Sequence, residues 1–201
     1  LPTTPAHAEP NEAKEAPTSG TLSPGKLLNP VLAEEIDVTV GQRSFTALLQ
    51  SPQADPPVGR PLLLINLGGS RDQSVSMHRY DMASKLFLSR GHRTLCFDLP
   101  DHGKRVTRYG EGIRGWRNAW IDGQDRFTQL VEEATAAINL CIQRKVASAG
   151  RIVVYGISRG GYMAVRLLAA NPNIAAVAAI APVTDWRDLA EFAADRDRSD
   201  I

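Results

Sequence analysis

The amino-acid sequence predicts an α/β protein, a three-layer α/β/α sandwich with a mostly parallel sheet. First, short continuous apolar runs alternate with segments whose apolar residues recur at helical spacing. Second, two alternating strands, residues 36–40 and 43–49, precede them and are joined by the tight turn Gly41-Gln42. Third, polar or glycine-rich stretches follow the apolar runs. In parallel sheets, the binding and catalytic residues lie at the carboxyl ends of the strands.

Four apolar runs are predicted to be buried strands of the parallel part of this sheet. They comprise residues 61–67, 93–98, 152–155 and 174–180. The stretch 51–60 carries three prolines and is predicted to be a surface loop.

Two segments between these strands have the periodicity of amphipathic helices. The first covers residues 78–89 and is stopped by Gly91. The second covers residues 126–145, where seven apolar side chains fall on one face. Residues 104–123 are rich in glycine, arginine and tryptophan without clear periodicity, so we expect an excursion over the surface. Its Trp116 and Trp120 either line a pocket or anchor the excursion on the core.

Composition divides the chain into an N-terminal arm and one domain. Residues 1–30 carry six of the thirteen prolines and few large apolar side chains, which predicts a flexible arm before a domain at 31–201. The chain does not begin with methionine, and Ala6-His7-Ala8 has the form of a signal-peptidase site. Export to the periplasm or medium and a cytoplasmic location therefore both stay open.

Net charge, the lengths of the apolar runs and the cysteines bear on the partners and the environment of the chain. The net charge is +1, which gives no reason to expect nucleic acid as a partner. No apolar run approaches the ~18 residues that a membrane span needs. Cys96 and Cys141 lie within apolar patterns, so buried free thiols are favoured over a disulfide between them. The oligomeric state is left open.

One stretch points to a chemical function. The strand at 152–155 ends in a G-x-S-x-G pattern formed by Gly156, Ser158 and Gly160, and a segment with helical spacing follows. A serine hydroxyl can attack a carbonyl only if it stands clear of the backbone, which a sharp strand-to-helix turn provides. Glycines are needed on both sides because side chains there would collide. The alternative interpretation is a glycine-rich turn of the kind that any parallel α/β protein contains.

Together with two other stretches, this pattern resembles the α/β-hydrolase superfamily over roughly residues 35–190. Residues 67–70, Leu-Gly-Gly-Ser, resemble its oxyanion loop after the third strand. Residues 97–103, Phe-Asp-Leu-Pro-Asp-His-Gly, resemble its F-D-x-P-G-H-G stretch after the fourth, and residues 156–161 resemble its nucleophile elbow. Residues 181–186 are similar to the stretch after the sixth strand in prolyl-oligopeptidase-like esterases and peptidases. The resemblance implies an α/β-hydrolase type of sheet.

The resemblance also implies roles for individual residues. Ser158 would be the nucleophile that accepts the acyl group. The N–H of Arg159 would be one oxyanion donor, and Gly69 or Ser70 would supply the second.

The base that activates the serine is not evident. The superfamily places an acid and then a histidine after the serine, whereas the four histidines here, His7, His78, His92 and His102, all precede Ser158. The first expectation is that the chain is truncated after about the sixth strand, with the base beyond residue 201. The second is that His102 or His78 acts as a substitute base.

Asp185 has two interpretations. It follows the sixth predicted strand, where a few members of the superfamily place the catalytic acid. An aspartate there more often caps the next helix, and we favour the cap.

The leading hypothesis is a carboxylesterase-like serine hydrolase that cleaves a small-molecule ester, or an amide or peptide, through an acyl-enzyme on Ser158. The alternatives are a non-catalytic binding module of the α/β-hydrolase fold, a prolyl-oligopeptidase-like peptidase and an acyltransferase. No cofactor is expected. The histidines and cysteines show no metal-ligand spacing, and the dinucleotide-binding fingerprint does not occur.

Overall fold

The computed structural model describes residues 31–53 and 60–197, in which six strands form one sheet. The strands are β1 (Val31–Val40), β2 (Arg43–Pro52), β3 (Leu63–Leu67), β4 (Arg93–Phe97), β5 (Ile152–Ile157) and β6 (Ile174–Ile180). Their order across the sheet is β1-β2-β4-β3-β5-β6. β1 pairs with β2 and β2 with β4 in antiparallel fashion, whereas β3, β4, β5 and β6 are parallel. The predicted arm at residues 1–30 lies outside the described residues.

Within the described residues, five α-helices cover the two faces of the sheet. They are α1 (Arg71–Ser76), α2 (His78–Ser89), α3 (Gly112–Ile121), α4 (Arg126–Gln143) and α5 (Arg159–Ala170). The connection from β3 through α2 to β4 runs in one direction across the sheet, and those through α4 and α5 run in the other. Because such crossovers are right-handed, α2 lies on one face while α4 and α5 share the opposite face. The predicted three-layer sandwich is confirmed.

The predicted surface excursion at 104–123 is wrong for its second half, because residues 112–121 form α3. Its buried positions are Gly115, Trp116 and Ala119, and two of these three are small residues, which weakens the apolar pattern in the sequence. Trp116 is fully buried and donates its indole N–H to the carbonyl of Pro100 at 2.6 Å. This tryptophan therefore anchors α3 on the core.

The strand predicted at 174–180 is confirmed as β6, but its predicted burial is wrong. Ile174 is its only buried residue, and Ile180 is 50% exposed. The reason is its place in the sheet, since β6 is the outermost strand and pairs only with β5 among the described strands.

Cys96 on β4 and Cys141 on α4 are both buried and free, as the sequence predicted. Burial raises the pKa of the Cys96 thiol to about 12 and that of Cys141 to about 11. Both thiols are therefore protonated at neutral pH and belong to the core. In the part of the chain that the structure describes, no helix combines the length and the apolar character that crossing a bilayer requires.

Candidate active site

Ser158 occupies a sharp turn between β5 and α5 in a backbone conformation that non-glycine residues rarely adopt. Its φ is 54° and its ψ is −118°. Two hydrogen bonds hold this strained residue against the end of β6 and the segment that follows it. Ser158 N donates to the carbonyl of Ile180 at 2.9 Å, and Val183 N donates to the carbonyl of Ser158 at 3.2 Å. The Ser158 hydroxyl is half-buried and forms no hydrogen bond with any described residue.

The glycines around Ser158 are required by close approaches of backbone to backbone. A Cβ on Gly156 would lie 2.1 Å from the carbonyl oxygen of Gly160, across the turn itself. A Cβ on Gly160 would lie 2.1 Å from the carbonyl oxygen of Leu67, at the end of the neighbouring strand β3. The absence of a side chain at Gly156 allows the turn to be tight. The absence of a side chain at Gly160 allows the start of α5 to pack against β3.

The start of α5 and the loop after β3 present backbone N–H groups near this turn. Arg159 is the first residue of α5, so its N–H has no acceptor within the helix. Ser70 caps α1, and its N–H donates to Gln73 Oε1 at 3.1 Å in a capping box. The N–H of Gly69 forms no hydrogen bond with a described residue, and the φ of Gly69 is 101°. Of the two alternatives for the second donor, Gly69 is thus the one whose N–H is not engaged.

The loop after β4 is bound to the loop after β3. Leu99 N donates to the carbonyl of Gly69 at 2.9 Å. The carboxylate of Asp98 accepts from Arg71 N at 2.7 Å on one side and from Lys104 N at 3.0 Å on the other. Asp98 therefore holds the two loops in one arrangement, a role that the sequence analysis did not assign.

His102 lies in this second loop and is 3% exposed. Its Nδ1 lies 2.8 Å from the carbonyl oxygen of Pro100, and since a carbonyl can only accept, Nδ1 carries the proton. Nε2 is then an acceptor, and it has no hydrogen-bond partner among the described residues. Burial and then the charge of Arg159 lower the pKa of His102 to about 4, so its ring is neutral at pH 7.

Neither of the two histidines suggested as a substitute base is hydrogen-bonded to Ser158. His102 bonds to Pro100, and His78 is exposed at the first residue of α2. The structure thus places His102 in the wall of a cavity near the turn but does not join it to the serine.

Asp185 caps a short 3₁₀ helix at Trp186–Asp188, the role that the sequence analysis favoured. Its carboxylate accepts from Arg187 N at 2.9 Å and from the Arg187 guanidinium at 2.6 Å. The hydrogen bonds from the Arg187 side chain lower the pKa of Asp185 to about 2. Both oxygens of this carboxylate are engaged locally.

A cavity of about 510 Å³ lies beside the turn, between the loops after β3 and β4, the start of α3 and the start of α5. Its lining consists of Ser70, Gln73, His102, Gly103, Gly110, Glu111, Gly112, Ile113, Arg114, Arg159 and Glu191. Arg159 lines it, whereas Ser158 itself does not. Over residues 31–53 and 60–197, no cluster of three His, Cys, Asp or Glu side chains could hold a metal ion.

Sequence reasoning missed two parts of this site. The side chain of Arg159 was not considered, because only its backbone N–H follows from the turn. Helix α1 was also missed, although the capping-box spacing of Ser70 and Gln73 signals a helix start there.

The sequence also matches the model of a known protein family. The sequence model of a family described as "Alpha/beta hydrolase family" matches residues 62–200. No curated protein matches the sequence.

Three solved structures are similar to the chain. A cold-adapted esterase from an Arctic intertidal metagenomic library is 19% identical, with a TM-score of 0.57, over 74% of this chain and 60% of that one. A puromycin hydrolase is 22% identical, with a TM-score of 0.56, over 77% and 23%. A structure from a study of two prolyl endopeptidases is 18% identical, with a TM-score of 0.54, over 77% and 22%. The chain thus spans less than two thirds of each of these structures, and the likeness shows a shared fold.

Proposed function

This chain belongs to the alpha/beta hydrolase family, and we propose that it is a serine hydrolase that cleaves a small-molecule ester, or an amide, through an acyl-enzyme on Ser158. The observation that carries the proposal is the strained backbone of Ser158, held between glycines that no other residue could replace without a backbone collision. Strain of this kind persists only where the surrounding structure enforces it, and it is concentrated at functional sites.

The proposed reaction follows from the groups around the turn. The Ser158 oxygen attacks the carbonyl carbon of the ester while a base takes the hydroxyl proton. Negative charge then develops on the carbonyl oxygen, where we expect the N–H groups of Arg159 and Gly69 to stabilise it. The intermediate collapses, the leaving alcohol takes the proton from the base, and a water molecule activated by the same base releases the acyl group.

We propose that the base is a histidine outside residues 1–201, with His102 as the alternative. The pKa of His102, about 4, makes it a poor proton acceptor at neutral pH, because an effective base has a pKa near the working pH. Its Nδ1–H donates a hydrogen bond to the carbonyl oxygen of Pro100, and its Nε2 has no hydrogen-bond partner among the described residues.

The pH dependence of hydrolysis separates these two bases. A base must be unprotonated to act, so kcat/KM falls as the pH drops through its pKa. We expect this fall near pH ~6.5, the range of an ordinary histidine, and we expect His102→Gln to leave it in place. A fall centred near pH 4 that is abolished in His102→Gln would assign the base to His102. The measurement is kcat/KM for a p-nitrophenyl ester from pH 3.5 to 9, on whichever chain is active.

Covalent labelling tests the nucleophile directly. A fluorophosphonate reacts with a serine only if that serine is activated, and peptide mapping then locates the adduct. We expect the adduct on Ser158, its complete loss in Ser158→Ala, and full labelling in Ser148→Ala. Ser148 is a fair control because it lies in the turn before the other end of β5.

The experiment is run on the 201-residue chain and on a chain extended past residue 201. Labelling only in the extended chain would indicate that the base lies outside residues 1–201. Labelling in both would direct attention to His102 and His78.

The rival function is a non-catalytic binding module of the same fold. The observation that favours it is the Ser158 hydroxyl, which has no hydrogen-bonded base among the described residues. Absence of labelling in both chains, with the fold intact, would support this rival and contradict the hydrolase.

A further inference from the structure

The side chain of Arg159 is half-buried next to Ser158 and has no counter-ion among the described residues. No acidic side chain of the described residues forms an ion pair with it, and its Nε is fully buried without a hydrogen-bond partner. A charge in such a place is costly unless something pairs with it. Burial correspondingly lowers the pKa of the Arg159 guanidinium.

The guanidinium lies against the loop that follows β3. Its Nη2 lies 3.1 Å from the point where a Cβ on Gly69 would stand, so it packs against the loop after β3. The point where a Cβ on Gly69 would stand also lies 3.6 Å from Cδ2 of His102. Arg159 and His102, which both line the cavity, therefore approach each other at Gly69.

A second unpartnered group lies on this wall. His102 is 3% exposed, and its Nε2 has no hydrogen-bond partner among the described residues. Nε2 lies 3.8 Å from the point where a Cβ on Gly112 would stand, and Gly112 also lines the cavity. Buried polar groups are normally hydrogen-bonded, so His102 Nε2 and Arg159 Nε are two groups beside the cavity whose hydrogen-bonding capacity is unused by the described residues.

The other charges of the cavity lie at its mouth. Glu111, Arg114 and Glu191 are all exposed, so water screens them. Glu191 is near enough to influence Arg159 electrostatically but forms no ion pair with it. The charge that a ligand meets inside the cavity is therefore that of Arg159.

We propose that Arg159 binds a carboxylate on the substrate, so that the cavity beside Ser158 selects esters that carry a negative charge. A guanidinium presents two parallel N–H donors that match the two oxygens of a carboxylate. The volume of about 510 Å³ is that of a small-molecule pocket. The proposal rests on the hydrolase function of Ser158 for its substrate class, and it adds what that substrate must carry.

Equilibrium binding to the Ser158→Ala protein tests the proposal without turnover. The two ligands are monomethyl glutarate, which is an anionic ester, and dimethyl glutarate, which is neutral and larger by one methyl group. We expect the anionic ester to bind about 10-fold more tightly or better, as a charge-assisted contact provides. Titrations followed by ligand-observed NMR, at fixed ionic strength, measure both affinities.

Two further variants show whether Arg159 causes the preference for the anionic ester. In Ser158→Ala/Arg159→Met the preference for the anionic ester should disappear, whereas Ser158→Ala/Arg166→Met should keep it. Arg166 is the matched control because it lies on the same helix α5, over the rings of Phe127 and Tyr162 and outside the cavity. Equal affinity of the two esters for the Ser158→Ala protein would overturn the proposal, and this comparison does not depend on how the Arg159 variant folds.

Failure of this inference is distinguishable from failure of the hydrolase. Binding of the anionic ester through Arg159, with no fluorophosphonate labelling of Ser158 in either the 201-residue or the extended chain, would leave a carboxylate site and contradict the hydrolase. Labelling of Ser158 without any preference between the esters would leave the hydrolase and contradict the role of Arg159.

Discussion

Gly160→Ala is expected to destabilise the protein by more than about 4 kcal/mol, or to prevent folding. The new Cβ would lie 2.1 Å from the carbonyl oxygen of Leu67. That oxygen belongs to β3, which is hydrogen-bonded to β4 on one side and β5 on the other, so it has little freedom to move away. Urea unfolding followed by circular dichroism measures the change.

Gly161→Ala is the matched control, since both glycines lie in the first turn of α5 and neither has a positive φ. A Cβ on Gly161 would meet Gly156 O and Pro182 no closer than 3.2 Å. Alanine also favours a helix by about 1 kcal/mol over glycine, which offsets part of this crowding. We expect a change within about 1 kcal/mol, and equal losses in the two variants would contradict the steric explanation.

Arg105→Met is expected to cost about 3–5 kcal/mol of stability, because it leaves a buried carboxylate without its cation. Glu133 on α4 is fully buried, and Arg105 binds both of its oxygens, at 2.7 Å and 2.9 Å. Arg105 also donates to the carbonyl of Asp98 at 2.9 Å. It thereby connects the loop that carries His102 to α4. Denaturant unfolding measures the loss.

Two controls test this explanation. Arg105→Met combined with Glu133→Leu should recover much of the lost stability, since an apolar pair of similar volume often replaces a buried ion pair at little cost. Arg43→Met removes the partner of Glu132, the neighbour of Glu133 on the same helix, from a pair that is 39% and 50% exposed. It should cost at most about 1 kcal/mol. No recovery in the double variant would show that Arg105 acts by packing rather than by pairing.

Local sequence determined the succession of strands along the chain, the helices α2 and α4, and the turn at Ser158. An apolar run that ends in Gly156, a serine two residues on and a helical pattern after it already define a strand, a turn and a helix. These features depend on neighbours along the chain, so periodicity and glycine spacing are enough to predict them. The cap at Asp185 was predictable for the same reason, because its partner is two residues away.

The tertiary structure alone decided which of these residues share a surface and how each is ionised. Burial of Trp116, exposure of β6 and the pKa of His102 all depend on segments distant in the sequence. The same is true of Arg159, whose side chain lies against a loop about 90 residues earlier in the chain. Burial and charge are properties of the packed environment, which no local pattern contains. The sequence by itself therefore determined the sharp turn that carries Ser158, and the packing of distant loops decided what surrounds it.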